Sequence, residues 1–257
     1  MVIRTQYLER LRLFYDSELV KVITGIRRCG KSTILRQVIA EIKENGIDES
    51  HIVYINFEDY KYHKLTDADA FYEYVEQKII DEGKYYLFFD EIQNVNNFEL
   101  VVNSFRATHN VSIFITGSNS KLLSGELATH LSGRTVSLRV LPFNFMEFCQ
   151  YKNISAPDYE ALLAEYMTYG GLPLVCGADN KETKEVILNN IYDAVVLKDI
   201  VMRNKINSPL VLEKVLDYIV GNSSLTVSGN AIAGTLSSNG HKVSAPVVYD
   251  YLRCIVD

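Results

Sequence analysis

Long apolar runs are missing from this chain. No segment approaches the roughly twenty unbroken apolar residues that a membrane-spanning helix needs, and no apolar leader-like core stands at the N-terminus. Cysteine is scarce as well. Cys29, Cys149, Cys176 and Cys254 show neither C-x-x-C spacing nor a histidine at metal-ligand spacing. That excludes a thiolate metal site and a disulfide scaffold, and it points to a reducing compartment. Nor is there a basic excess: 26 Lys and Arg stand against 32 Asp and Glu, a net charge of −6. The global signature of a nucleic-acid binder is therefore absent, while local basic patches stay open. These absences predict a soluble, cytoplasmic protein with no membrane partner. What remains is ordinary for a folded chain. A hydrophobic share of 47% and a charged share of 23% exclude disorder, and 257 residues predict one large α/β domain with a smaller one.

Charge is unevenly placed. Arg4, Arg10, Arg12, Lys21, Arg27, Arg28, Lys31 and Arg36 make the N-terminal stretch basic, whereas residues 41–99 are acidic. Within the basic stretch lies Gly25-Ile-Arg-Arg-Cys-Gly-Lys-Ser32, of the form G-x-x-x-x-G-K-[ST], with an apolar strand before it and an amphipathic helix after it. Gly25 and Gly30 let the loop backbone curl until its N–H groups converge, and the positive end of the helix adds to their field. Gly25, Ile26, Arg27, Arg28, Cys29, Gly30, Lys31, Ser32 and Thr33 thus form a cradle for phosphates. Lys31 would reach the β- and γ-phosphates, the Ser32 hydroxyl would ligate Mg²⁺, and Thr33 would stand at the α-phosphate. The ligand expected is a nucleoside triphosphate. The lack of an Asn-Lys-x-Asp element counts against guanine. Cys29 reads either as an oxidisable block on the loop or as a small passive side chain.

Ahead of the loop, residues 1–15 suit a short helix against the nucleotide domain, either touching the base or simply packing. After it, residues 51–57 form a buried strand and residues 68–81 a helix capped by Asp67. The strand 84–90 ends in Asp90-Glu91, which a phosphate-loop protein needs opposite its loop. Asp90 would support Mg²⁺ and Glu91 would orient and deprotonate the attacking water, with Gln93 lining the same pocket. Residues 98–108 give a helix and 111–116 a fourth strand, whose tip, Gly117-Ser-Asn-Ser120, offers Asn119 or Ser118 to the γ-phosphate; the same residues are also good turn chemistry. A helix at 121–131 leads to Arg134 and a fifth strand, 135–140. Arg134 either reaches a γ-phosphate in a neighbouring subunit or forms a salt bridge. The Asp-Glu strand is third rather than second, so the expected fold is an α/β P-loop NTPase with a parallel sheet ordered 5-1-4-3-2, and the nucleotide sits at the carboxyl ends of the strands.

From residue 143 the pattern turns helical. Segments 143–151, 158–169 and 183–198 read as a lid, with Gly170 and Gly171 as a hinge or a helix break, and with Lys198 and Arg203 near its end. Segments 210–220, 228–236 and 244–255 have helix-turn-helix spacing, with Arg253 and Lys242 as its few basic residues. The expected domains are a core at 1–142, a helical lid at 143–208 and a winged-helix-like unit, truncated, at 209–257.

Gly25-Ile-Arg-Arg-Cys-Gly-Lys-Ser32, Phe88-Phe-Asp-Glu-Ile-Gln93, Ile115-Thr-Gly-Ser-Asn119, Leu131-Ser-Gly-Arg134 and Tyr169-Gly-Gly-Leu-Pro173 together resemble the bacterial and archaeal AAA-family ATPases that carry a C-terminal domain of unassigned function. The resemblance runs from about Tyr7 to the end of the chain. It implies an AAA+-type core, ATP and Mg²⁺ as ligands, a winged-helix region and a further nuclease-like domain beyond this sequence. The reading that follows is an ATP hydrolase coupling nucleotide state to movement. In it Lys31 and Ser32 hold phosphate and metal, Asp90 supports the metal, Glu91 activates water, Asn119 senses the γ-phosphate and Arg134 acts from a second copy. The alternative is a nucleotide-gated DNA-binding module with little turnover; a P-loop kinase is a weaker third, because no acceptor pocket is visible.

Overall fold

A computed structural model describes residues 2–117, 131–154, 157–195, 200–201, 204 and 206–256. The chain forms two compact units, Met1–Asp179 and Asn180–Asp257. The stretch 143–208 is thus divided between them.

In the first unit, α1 (Thr5–Arg12) precedes β1 (Val20–Thr24), α2 (Lys31–Glu44), β2 (Ile52–Asn56), α3 (Ala68–Glu76), β3 (Tyr85–Asp90), α4 (Phe98–Thr108), β4 (Val111–Gly117) and β5 (Thr135–Arg139). The strands pair in the order β2-β3-β4-β1-β5, every neighbour parallel. This is the order expected from the sequence, read from the other edge. Alternation along each strand divides the core between the two faces of the sheet. Leu87 and Phe89 join Phe71, Val75, Val102 and Phe105 of α3 and α4 on one face. Phe88 and Phe114 join Leu8, Leu11, Ile34, Leu35 and Val38 of α1 and α2 on the other.

Helix α3 stops at Glu76, short of the 81 expected from its periodicity. Lys78 and Ile79 donate instead to Val75 and Glu76, a tightened last turn, and the Ile80 N–H donates to the Tyr85 hydroxyl at 3.0 Å. The helix expected at 121–131 lies, apart from Leu131, outside the described residues. So do Ser118, Asn119, Lys198 and Arg203.

Beyond the sheet come α5 (Phe145–Lys152), α6 (Tyr159–Tyr169) and the single turn α7 (Pro173–Cys176). Asn144 and Glu147 close a capping box at α5, which leaves Phe143 outside the helix. Gly170 ends α6 with φ of +72° and ψ of −170°, a conformation open only to glycine. At Gly171 a Cβ would collide with the Phe143 carbonyl oxygen, while the Phe143 N–H donates to the Gly171 carbonyl at 2.7 Å. Gly170 therefore stops α6, and Gly171 seats the chain against Phe143 just ahead of α5.

The second unit holds α8 (Lys181–Asp193), α9 (Pro209–Gly221), α10 (Gly229–Ser238) and α11 (Ala245–Val256). Helix α8 starts earlier than its periodicity predicts because Asn180 caps it through the Thr183 N–H. Leu212, Val215, Ile232, Leu236 and Val248 make a core of their own. Among the described residues this unit contains helices and no strand.

Candidate functional site

The loop between β1 and α2 is shaped by backbone conformations that few side chains tolerate. Gly25 has φ of +151°, Arg28 +64° and Gly30 +105°. A Cβ at Gly25 would collide with the Val140 carbonyl oxygen and stand 2.8 Å from Cys29 Sγ, so this glycine is required by close approach as well as by φ. The Cys29 thiol is fully buried and burial raises its pKa, which favours the passive reading over an oxidisable one.

A cavity of about 770 Å³ opens above the loop, with every wall in the first unit. Arg27, Arg28, Gly30, Lys31, Ser32 and Thr33 form its floor; Glu58 and Glu91 stand on one side, and Tyr151, Pro173, Leu174 and Gly177 supply a helical wall. Gly25 and Cys29 are buried and Ile26 is half exposed, and none of the three lines the cavity. A smaller, mostly apolar slot of about 120 Å³ adjoins Gly30 and Thr33 and is closed by Val2, Arg4, Phe143, Tyr151 and Pro173.

Lys31 is buried, yet its ammonium group meets only oxygens at the cavity floor. It donates to the Gly25 and Ile26 carbonyls at 3.2 and 3.4 Å and stands 3.4 Å from Glu91 Oε1. Glu91 occupies the left-handed region, φ +54°, just past the end of β3. Two bonds hold it there. Its N–H donates to Thr116 Oγ1 at 3.0 Å, and its Oε2 accepts from Gln93 Nε2 at 2.6 Å.

Asp90 is fully buried. Its Oδ2 accepts from the Tyr54 hydroxyl at 3.0 Å and its Oδ1 accepts a short bond from the Thr116 hydroxyl. Burial first, then the Asp90 charge, pushes the Tyr54 phenol up to about 12, so it remains a donor at neutral pH. Both Asp90 oxygens are thereby engaged as acceptors.

No group of three or more His, Cys, Asp or Glu side chains able to hold a metal occurs among the described residues. A bare divalent cation has no protein cage here. The arrangement fits Mg²⁺, which keeps its waters, takes one or two protein ligands and shares the phosphates of a bound nucleotide. Ser32, which lines the cavity, and Asp90, buried next to the lining residue Glu91, are the residues that would hold it.

Arg134 falls elsewhere. It directly precedes β5, at the amino ends of the strands, and its guanidinium donates to Asn103 Oδ1 at 3.1 Å. Within its own chain it is not brought to the cavity. Arg253 stands exposed, 3.8 Å from Asp250, and Lys242 is exposed in the turn between α10 and α11.

Three groups at the site escaped sequence reading. Tyr54 and Thr116 look like ordinary β-branched or aromatic strand residues, and only the parallel register of β2, β3 and β4 brings them to Asp90. Arg4 is the third. It is 2% exposed, and its guanidinium donates to Glu147 Oε1 at 2.6 Å, to the Cys29 carbonyl at 3.3 Å and to the Leu141 carbonyl at 3.0 Å. No local pattern links residues 4, 29, 141 and 147.

Among known proteins, residues 17–149 match the model of an AAA domain, and residues 160–257 match a domain of unknown function, DUF8612. An uncharacterized protein of Haemophilus influenzae is 38% identical over 255 residues, covering 98% of this chain and 64% of that protein. The uncharacterized protein MJ1544 of Methanocaldococcus jannaschii is 32% identical over 247 residues, covering 93% of this chain and 54% of the relative. The chain therefore spans less than two thirds of the length of either. The Aeropyrum pernix ORC1 protein, solved in complex with DNA, aligns over 98% of this chain and 82% of its own at a TM-score of 0.50 and 14% identity. CDC6P from Pyrobaculum aerophilum aligns over 97% and 84% at a TM-score of 0.48, also at 14% identity. At such identities the likeness concerns the fold alone.

Proposed function

The chain belongs to the AAA-domain family, and on that premise we propose that it binds ATP with Mg²⁺ in the cavity above the loop and hydrolyses it to ADP and phosphate. One observation carries this reading: Lys31 Nζ and Glu91 Oε1 stand 3.4 Å apart and line one cavity. A cation for the β- and γ-phosphates and a base for the attacking water thus face the same space. Curled loop N–H groups and the N-terminus of α2 hold the phosphates, and the apolar slot beside Thr33 takes the base. Ser32 and Asp90 would hold Mg²⁺, which when bound offsets the phosphate charge.

Glu91 then orients a water and accepts its proton. Its carboxylate is held for this by Gln93 and by the backbone bond to Thr116. Asn119 senses the γ-phosphate, and Arg134 of a second copy stabilises the charge that develops in the transition state. Nucleotide state is passed on through movement of the helical wall at Tyr151, Pro173 and Leu174. Among the described residues no helix is long and apolar enough to cross a membrane, and the four cysteines are free thiols, which supports placement in the cytoplasm.

The test is ATP binding and turnover in Glu91→Gln. We expect turnover to fall by at least about 100-fold, the scale of general-base catalysis, while ATP still binds. Turnover that persists in this variant removes Glu91 from its role.

A second reading, a nucleotide-gated DNA-binding module, is favoured by the helix-turn-helix spacing of α10 and α11 with Lys242 and Arg253 exposed on it. It requires DNA affinity that weakens with salt and with neutralisation of those two residues. Salt-independent or absent binding disposes of it.

A further inference from the structure

The guanidinium of Arg4 is buried behind the loop rather than in the cavity above it. It lies within van der Waals reach of Gly30, where a Cβ would stand 3.7 Å from Nη1. Its three bonds reach three separate parts of the first unit: the Cys29 carbonyl in the loop, the Leu141 carbonyl just past β5, and Glu147 in the first turn of α5. The ring of Tyr7 lies 4.6 Å from its Cζ and that of Phe143 5.1 Å, so the planar group is held by stacking as well. Its own backbone is latched to α2. The Arg4 N–H donates to Gln37 Oε1 at 3.2 Å, and Gln37 Nε2 donates to the Val2 carbonyl at 2.7 Å. Glu147 is no spare acid either, since its other oxygen caps α5 through the Asn144 N–H at 3.0 Å.

A buried arginine bonded at such sequence separations is costly to keep unless each donor is used. Here the donors join the phosphate loop to the element that starts the helical wall. Tyr151, at the end of α5, lines both the cavity and the slot, and Arg4 lines the slot. We infer that Arg4 is a positioning residue that couples the curl of the phosphate loop to the placement of α5, so that filling the loop with nucleotide tightens the helical wall through the Arg4–Glu147 pair. This rests on the nucleotide reading of the cavity. Lysine cannot do the same, because a single ammonium lacks the planar fork that spans Cys29, Leu141 and Glu147.

The experiment measures ATP affinity by calorimetric titration, and amide hydrogen exchange with and without ATP, on the wild type, Arg4→Lys and Glu147→Gln. In the wild type, nucleotide should protect both the loop, residues 25–33, and α5. Arg4→Lys should bind ATP at least tenfold more weakly. Glu147→Gln keeps an acceptor but drops the charge, and it should keep loop protection while losing most of the nucleotide-dependent protection of α5. A purely structural pair would lower the melting temperature and leave that difference unmoved. Glu147→Gln with full α5 protection on ATP addition overturns the coupling, even where Arg4→Lys does not fold. Wild type that binds no ATP overturns the nucleotide reading itself, and the coupling with it.

Discussion

Lys21 shows how a single residue can carry a cost that the rest of the fold absorbs. It lies on β1, fully buried, with its ammonium donating to the Ser17 carbonyl at 3.1 Å and to Ser112 Oγ at 2.8 Å, and 4.6 Å from the Phe114 ring. Burial, with the Lys84 charge adding to it, pushes its pKa down to about 7 from the 10.5 usual for a lysine. The unfolded chain then binds a proton that the folded one does not between those values, so stability rises with pH from about 7 towards 10 and is lowest below 7. Lys21→Met should flatten that rise and raise stability at pH 7 by a few kcal/mol, the scale set by about 1.4 kcal/mol per pKa unit. Denaturant unfolding at intervals from pH 7 to 9.5 checks it; equal slopes for both proteins would show that Lys21 keeps its proton when folded. The site residues are subject to the same logic. Asp90 can stay buried because Tyr54 and Thr116 satisfy it, and neither partner differs in kind from its strand neighbours.

At the scale of elements, the join between β5 and α5 decides how the cavity gets its wall. Gly170 and Gly171, which join α6 to α7, have tasks that their contacts separate. Gly170→Ala meets no neighbour but forces a side chain into a glycine-only conformation, a cost of about 1–3 kcal/mol. Gly171→Ala must also push away the Phe143 backbone, whose ring lies against Arg4. Thermal melts should therefore show both variants destabilised, and ATP titration should show weakened binding for Gly171→Ala alone. Equal nucleotide affinity in the two variants would separate Phe143 from the site. The loop itself follows the opposite pattern, being readable from its spacing because Gly25, Gly30, Lys31 and Ser32 work through backbone conformation and immediate neighbours.

At the scale of the molecule, two compact units with separate cores predict two unfolding transitions. The site lies wholly in Met1–Asp179. Saturating ATP and Mg²⁺ should raise the transition of that unit, by about 2.7 kcal/mol at a hundredfold excess over Kd, and leave that of Asn180–Asp257 where it was. Scanning calorimetry reads this directly; a single transition shifted as a whole would mean that the units unfold together. Assembly is tested by turnover. Specific activity that climbs with protein concentration, and is lost in Arg134→Ala at every concentration, is expected if Arg134 acts in trans. Activity independent of concentration returns Arg134 to its bond with Asn103.

The order of the sheet, the phosphate loop, the strand that ends at Asp90 and the helical region after the sheet were legible from the sequence. Each depends on period, spacing or chain order, which are local or cumulative along one dimension. The AAA-family membership could be read from those same motifs. Only the tertiary structure decided that α3 ends at Glu76, that Arg134 lies away from its own cavity, that Tyr54 and Thr116 satisfy Asp90, and that Arg4 is tied to Cys29, Leu141 and Glu147. Those facts turn on meetings that follow no helical or strand spacing: the Ile80 N–H on the Tyr85 hydroxyl, Arg134 on Asn103, Tyr54 and Thr116 on Asp90, and Arg4 on Glu147, 143 residues away. Such meetings are selected by shape and by the need to pair every buried polar group, and neither leaves a periodic trace in the chain.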